Sequence, residues 1–296
     1  MTAVEARATG RPRSTRADRP FPYRKVLMAV ANHAVAIAVA LCFLLPFAIC
    51  VLTSVMTQNQ AGTGALWPSH WAWHNFGDVF SAMPFARDLW NTVLYAGLST
   101  IGVLLSSIPV AYALSRLNWK GREVMFIVVL ATMMIPAQVT SLPLYVIFSK
   151  LGWVNSLRPL IIPSFFGDAF SIFLLRQFFM TIPNEMTEAA RCDGANDWRI
   201  LTRIVVPMAR PAIAAVGLFA FLYAWNDFYN PLLYTGNSTN SQTLAVGLTT
   251  LAKSAHQNAY QLQMAASLIF LAPVLLLFFF AQKVFVEGVT LTGVKG

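Results

Sequence analysis

Six apolar stretches alternate with polar intervals along this chain, over 26–53, 89–114, 124–148, 160–179, 212–234 and 262–281. A helix needs about 20 apolar residues to cross a bilayer, and each stretch reaches that length. Pro46, Pro109, Pro136 and Pro273 fall inside stretches, and Pro143 shares the third with Pro136. Bundle helices tolerate such prolines where neighbours satisfy the freed carbonyls. The pattern predicts an all-α membrane protein with six transmembrane helices. It also predicts a disordered basic arm over 1–25, a six-span domain over 26–283 and a short tail over 284–296.

The most informative polar interval is 182–211, between the fourth and fifth stretches. Pro183 and Asn184 suit the first turn of a helix, and Glu185 and Glu188 put negative charge near the positive end of its dipole. Ala189, Ala190 and Arg191 favour helix, and Gly194 supplies a left-handed stop. A second segment over 197–206 begins at an acidic cap. It carries Trp198, Leu201, Ile204 and Val205 on one face, and Pro207 closes it. The result is two short helices joined at a glycine. Such an elbow is a compact knob tied to two membrane helices, able to pass a push from outside the membrane into it. Without further context, an amphipathic connector lying on the membrane surface would show the same pattern.

Composition fits lipid as the solvent. Of 296 residues, 57% are hydrophobic and 11% charged, where a soluble domain carries roughly 25% charge. Lys and Arg total 21. With the amino terminus inside, only Arg87, Lys150, Arg158 and Lys253 fall outside. That bias predicts both termini and the 182–211 loop to be cytoplasmic. The net charge of +9 is then a topology signal, with no nucleic-acid partner required. The basic arm suits the anionic lipid leaflet. Cys42, Cys50 and Cys192 form no disulfide pattern. Cys192 beside Arg191 reads as a small elbow residue rather than a reactive thiol. In the outer loop, Trp67, Trp71, Trp73 and Phe76 suit a membrane interface. His70 and His74 are spaced as a metal pair but lack a third ligand, so no metal site is expected.

The elbow carries a family resemblance. Glu188-Ala189-Ala190, Asp193-Gly194-Ala195 and Ile204-Val205-Val206-Pro207, at these spacings, resemble the EAA loop of ABC-importer permeases. The run 170–179, F-S-I-F-L-L-R-Q-F-F, resembles the fourth-span signature of the carbohydrate branch, as does Trp225-Asn226-Asp227-Phe228 in the fifth span. The tail, E-G-V-T-L-T-G-V-K-G over 287–296, is similar to that of maltose-type permeases, with Thr292 and Gly293 departing from the usual letters. The resemblance implies the type I importer architecture in the cytoplasmic (inner) membrane. It implies that Glu188, Ala189, Ala190, Asp193, Gly194, Ala195, Ile204 and Pro207 couple to a cytoplasmic ATPase. It further implies that Thr290, Gly293, Lys295 and Gly296 reach toward that ATPase. The implied partners are a second permease in a heterodimer, two ATPase subunits and an extracytoplasmic solute-binding protein, with a carbohydrate as cargo.

The chain has no G-x-x-x-x-G-K-S/T phosphate loop, no H-E-x-x-H and no G-x-S-x-G, so it shows no motif for catalysis of its own. ATP and Mg would belong to the partner ATPase, and this chain would bind no cofactor. Asp227 draws separate attention, because an acid at the centre of a membrane helix costs about 2.5–3.5 kcal/mol on insertion scales. It lies about 22 Å from Ala212 at helical rise, in the outer half of the span. It either faces a translocation pathway with Asn226 and Asn230, or snorkels outward or bonds a neighbouring helix. Two other functions compete with sugar import: import of a glycerophosphodiester or polyol, and secondary transport. The outer loops lack a dense cationic cluster, which favours a neutral sugar.

Overall fold

The computed structural model describes residues 23–236, 238–254 and 259–293. The basic arm lies outside them, apart from the first residues of α1. Every element described is helical. The chain divides after Ile49 into two units. The first contains most of α1 (Tyr23–Ser54), a long apolar helix that continues through Pro46. His33 Nδ1 lies 2.7 Å from the Ala29 carbonyl oxygen within it, so the one ring nitrogen that faces the helix is satisfied by the preceding turn.

The second unit holds the rest. It begins with α2 (Gln58–Ala61), α3 (Asn75–Ala82) and α4 (Phe85–Arg116). Next come α5 (Arg122–Met133), α6 (Ala137–Lys150), α7 (Arg158–Ile161), a 3-10 turn (Ile162–Phe166) and α8 (Ala169–Thr181). The elbow comprises α9 (Asn184–Cys192), α10 (Asp197–Ile200), a π turn (Leu201–Val205) and α11 (Val206–Met208). The chain ends through α12 (Arg210–Asn226), α13 (Tyr229–Thr235), α14 (Leu244–Ser254) and α15 (Tyr260–Gly293).

Helix α4 is the central post, packed against α8, the 3-10 turn, α12 and α14. Close approach requires small residues. A Cβ on Gly102 would lie 2.5 Å from Ser164 Oγ and 2.8 Å from the Phe165 ring. In lipid, helices gain little from burying apolar surface against each other, so such close packing and interhelical hydrogen bonds carry the association. Ser99 donates to the Leu160 carbonyl at 3.2 Å, and Ser106 to Ser164 O at 3.1 Å. At one end of α4, Asn91 Nδ2 donates to the carbonyls of Asn240 and Gln242, and Thr92 Oγ1 accepts from Leu244 N at 2.8 Å. Those bonds fasten the start of α14. At the other end, Arg176 of α8 is 6% exposed. It donates to Leu114 O at 3.0 Å, pairs with Glu123 at 3.2 Å and stacks its guanidinium 3.8 Å above the Phe126 ring. One side chain thus joins α4, α5 and α8.

Among the described residues four helical runs are long and apolar enough to cross a bilayer, and up to six if each of two bent pairs is one span. The unbroken ones include α4 and α15, which run through Pro109 and Pro273. Three expected spans are interrupted. The third turns by 93° between α5 and α6, because Pro136 has no N–H and keeps Ile135 before it out of helical backbone. The fourth breaks at Gly167, with φ +105°, and Asp168 caps α8 by accepting from Ser171 N at 2.8 Å. The fifth breaks at Asp227 and Phe228, where Asp227 leaves the helix with ψ 121°. The stretch after it contains a helix of its own, α14. The expected tail is helical in backbone as far as Gly293, which includes Thr290. Lys295 and Gly296 lie outside the described residues.

Replacing Gly102 with Leu should destabilise the purified protein in detergent by about 1–3 kcal/mol or more, since the added atoms overpack the α4–Ser164 contact. Gly97→Ala in the same helix, where an added Cβ meets nothing within 4 Å, should leave the thermal midpoint unchanged or raise it, since Ala favours helix over Gly. Equal midpoints for both variants, measured by size-exclusion after heating, would refute the close-packing account.

Candidate functional site

The elbow is built from its capping bonds. Helix α9 ends with Asp193 N donating to Ala189 O at 3.0 Å and Gly194 N to Arg191 O at 3.0 Å. Gly194 has φ +78°, a conformation that costs an L-residue with a Cβ roughly 1–2 kcal/mol. The chain then doubles back, and Ala195 N reaches Ala190 O at 2.9 Å. Asn196 caps α10 by accepting from Arg199 N at 2.9 Å. Arg191 and Asp197 pair across the elbow at 3.1 Å, and Tyr112 of α4 donates to the same carboxylate at 3.4 Å. The bond from Arg191 to Asp197 raises the Arg191 pKa above its ordinary value, so the guanidinium stays charged. The pair is half exposed and contributes about 0–1 kcal/mol.

Packing contributes more. Ile200, Leu201, Val205 and Ala209 are buried against Ala111 and Tyr112 of α4 and Leu175 and Phe179 of α8. Each large aliphatic side chain withdrawn from water gains about 1.5–3 kcal/mol. This face differs from the sequence expectation. Trp198 is 67% exposed and Ile204 half-buried, while Ile200 and Ala209 take the inner positions. At Ile204 the reason is the π turn, in which Val206 N bonds Leu201 O. It widens the helix by one residue just before Pro207 and shifts the register. Pro207 also does not end the segment, which continues to Met208 and then turns 81° into α12.

Arg116, the last residue of α4, locks the elbow to the bundle. Its guanidinium donates to the carbonyls of Phe179 and Ile182, at the end of α8, and to Asn184 Oδ1, at the start of α9. A cation beside terminal carbonyls is favoured by the helix dipole. The residues expected to couple sort into two groups. Ala190, Ala195, Ile204 and Pro207 are half-buried on the inner side. Glu188, Ala189, Asp193 and Gly194 are exposed, together with Met186, Trp198 and Arg199. The outer group forms a surface of apolar and charged side chains on a fixed base.

A second site lies within the bundle. Asp227 Oδ2 accepts from Tyr95 OH at 2.7 Å and Asn230 Nδ2 at 3.0 Å, and Oδ1 accepts from Asn230 N at 3.2 Å. Bonds to a charged group contribute about 1.5–3 kcal/mol each, enough to offset the insertion cost of the acid. Asp227 therefore bonds a neighbouring helix and caps α13. Asn226 is not brought into this cluster: its amide donates to Leu222 O at 2.8 Å and its side chain is exposed. A cleft of about 720 Å³ opens beside the cluster, walled by α4, α8, α12 and the bend between α5 and α6. Tyr95 and Tyr223 line it, whereas Asn226, Asp227 and Asn230 do not. Asp168 lines it as well, and sequence reading passed over this residue. Its signal was a Gly-Asp pair followed three residues on by Ser171 inside an apolar run, which is a helix start in the middle of an expected span.

The comparisons with known proteins agree with this architecture. Residues 99–291 match the family described as the inner membrane component of binding-protein-dependent transport systems. The arabinooligosaccharides transport system permease protein of Halalkalibacterium halodurans is 35% identical over 212 residues, 72% of this chain and 74% of that one. The sn-glycerol-3-phosphate transport system permease protein of Yersinia pestis is 29% identical over 264 residues, 86% of this chain and 94% of that one. The crystal structure of a bacterial ABC transporter involved in the import of the acidic polysaccharide alginate aligns with a TM-score of 0.76 at 26% identity. That alignment covers 92% of this chain and 99% of that one. The chain thus belongs to the inner-membrane permease components of binding-protein-dependent ABC transport systems.

Proposed function

We propose that this permease pairs with a second, related permease, and that the two line one pathway for an oligosaccharide. Two cytoplasmic ATPase subunits bind below and hold the ATP and Mg. An extracytoplasmic binding protein delivers cargo above. Both termini are cytoplasmic, and the bent pair α5–α6 and the helix α12 complete six spans. The alginate transporter was also crystallised with its pentasaccharide-bound periplasmic protein, which supports a binding-protein partner here. The observation that carries the reading is the elbow, an exposed knob whose base is fixed to α4 and α8 by Arg116 and a buried apolar face. Closure of the ATPases moves the knob, and the clamp transmits the displacement to the bundle. The likeness of the tail, with Thr290, Gly293, Lys295 and Gly296, to that of maltose-type permeases supports a second contact with the ATPase. The glycerol-3-phosphate relative supports a second reading, import of a phosphorylated polyol.

Purification in mild detergent should recover a second permease and an ATPase, with ATP hydrolysis stimulated by a sugar-loaded binding protein. Stimulation by a glycerophosphodiester-loaded binding protein alone would favour the second reading. A lone chain under several mild conditions would defeat both. Gly194→Val should lower ATP-driven uptake by about tenfold or more through the positive φ, while Gly194→Asn, which tolerates that conformation, keeps it. Uptake by the Val variant at the wild-type rate, with equal protein in the membrane, would remove the lever. Trp198→Ala should weaken retention of the ATPase by about tenfold, as expected of an exposed aromatic anchor. The midpoint of thermal unfolding should stay where it is. Unchanged retention would exclude this face from the contact.

A further inference from the structure

The cleft beside Tyr95 has a hydrogen-bonding character that follows from where its protons already go. Six hydroxyl groups line it, and all but that of Tyr223 spend their single proton inside the chain. Tyr95 donates to Asp227, Ser99 to Leu160 O, Thr132 to Val129 O, Ser164 to Ile161 O and Ser171 to Asp168 Oδ2. A hydroxyl that has given its proton offers only lone pairs to a ligand. Asp168 adds a carboxylate. Both of its bonds, from Ser171 N at 2.8 Å and Ser171 Oγ at 2.5 Å, fall on Oδ2, which leaves Oδ1 to the cleft. The carboxylate also answers the positive end of α8 that would otherwise attract an anion. Among the described residues lining the cleft there is no Lys, Arg or His. Phe170 and Phe219, in edge-to-face contact at 6.3 Å, supply an apolar wall. The volume, about 720 Å³, lies within the range of small-molecule sites, about 300–1,000 Å³.

We infer that this cleft is a sugar subsite contributed by this permease, with Asp168 as its specificity-determining residue, and that it accepts neutral hydroxyl-rich rings and rejects uronates and phosphates. The inference rests on the oligosaccharide-importer reading above. Sugar hydroxyls are donors, and the cleft, Tyr223 apart, is an array of acceptors with one unshared carboxylate oxygen. Charge-assisted bonds from hydroxyl to carboxylate are among the stronger ones. A uronate or phosphate brings acceptors and negative charge, finds few side-chain donors and meets a like charge in a low-dielectric site. The cleft therefore discriminates by proton inventory as well as by shape.

The test uses the complete transporter, with its second permease, ATPases and binding protein, in proteoliposomes. The probes are two digests, one of neutral polysaccharides (arabinan, starch and cellulose) and one of alginate, with imported species read by mass spectrometry. Wild type should import neutral oligomers and exclude the alginate ones. Asp168→Asn keeps a side chain able to cap α8, so the variant complex should assemble normally. It should raise the KM for the neutral cargo by about tenfold or more, and relax the exclusion of uronate oligomers. Ser171→Ala, which removes one of the two bonds on Oδ2 and leaves the one from the backbone N–H, should leave that exclusion in place. Import of alginate oligomers by wild type would overturn the inference, as would an unchanged KM and selectivity in Asp168→Asn. Either result leaves the importer reading standing. A complex whose ATPase responds to its binding protein but moves neither digest would defeat the oligosaccharide reading itself, and the subsite with it.

Discussion

The tie made by Arg116 is the constraint on which the rest of this architecture depends. A helix that ends at a membrane surface leaves its last carbonyls without partners. Here the last residue of α4 supplies donors for the carbonyls of Phe179 and Ile182 at the end of α8, and for the Asn184 side chain that opens α9. One guanidinium thereby fixes where two long helices end and where the elbow begins. The apolar face of Ile200, Leu201 and Val205 then has a defined surface to dock on. The weak Arg191–Asp197 pair sets an angle that burial has already made favourable. Rigidity at the base is what the proposed lever action of the exposed tip requires.

Lipid as the solvent explains the rest of the polar chemistry. No water competes for buried donors there, so most polar side chains in the bundle are matched within the protein or gathered around a cleft, the buried Asp88 carboxylate and Trp225 Nε1 being exceptions. Asp227 is held by Tyr95 and Asn230, and Arg176 by Leu114 O, Glu123 and the Phe126 ring. Asp168 is shared between capping α8 and facing the cleft. The same logic accounts for the many large apolar side chains on the outside, such as Leu105, Val124 and Leu142. A water-soluble protein would cover them.

Much of this was legible in the sequence, and the failures have specific causes. Hydrophobic runs of about 20 residues located the membrane segments, and the glycine-centred elbow was set by local signals, namely Pro183, Gly194 and an acidic cap. What sequence reading missed were breaks inside apolar runs. Pro136, Gly167 and Asp227 interrupt helices that composition alone makes continuous, while Pro46, Pro109 and Pro273 do not. A proline's effect depends on whether neighbours hold the helix straight, which is a tertiary property. Ile204 gave up its inner place to Val205 because a π turn alters the period by one residue, and a 3.6-residue pattern contains no sign of it. Of the candidate pathway residues, Asp227 and Asn230 bond each other, whereas Asn226 turns away, because adjacent residues at a helix end point in different directions. Asp168 was overlooked because the apolar run around it hid a single acid.

The bend between α5 and α6 bears on how the chain enters the membrane. At helical rise the 12 residues of α5 span about 18 Å and the 14 of α6 about 21 Å, against a hydrocarbon core about 30 Å thick. Neither arm can cross by itself, and with 93° between them they cannot cross as one rod. As the chain leaves the ribosome, this segment has no stable place in lipid until α4 and α8 are there to receive it. Its insertion is therefore a cooperative step of assembly, and the folding of the bundle and the acquisition of its topology are a single event at that point in the chain.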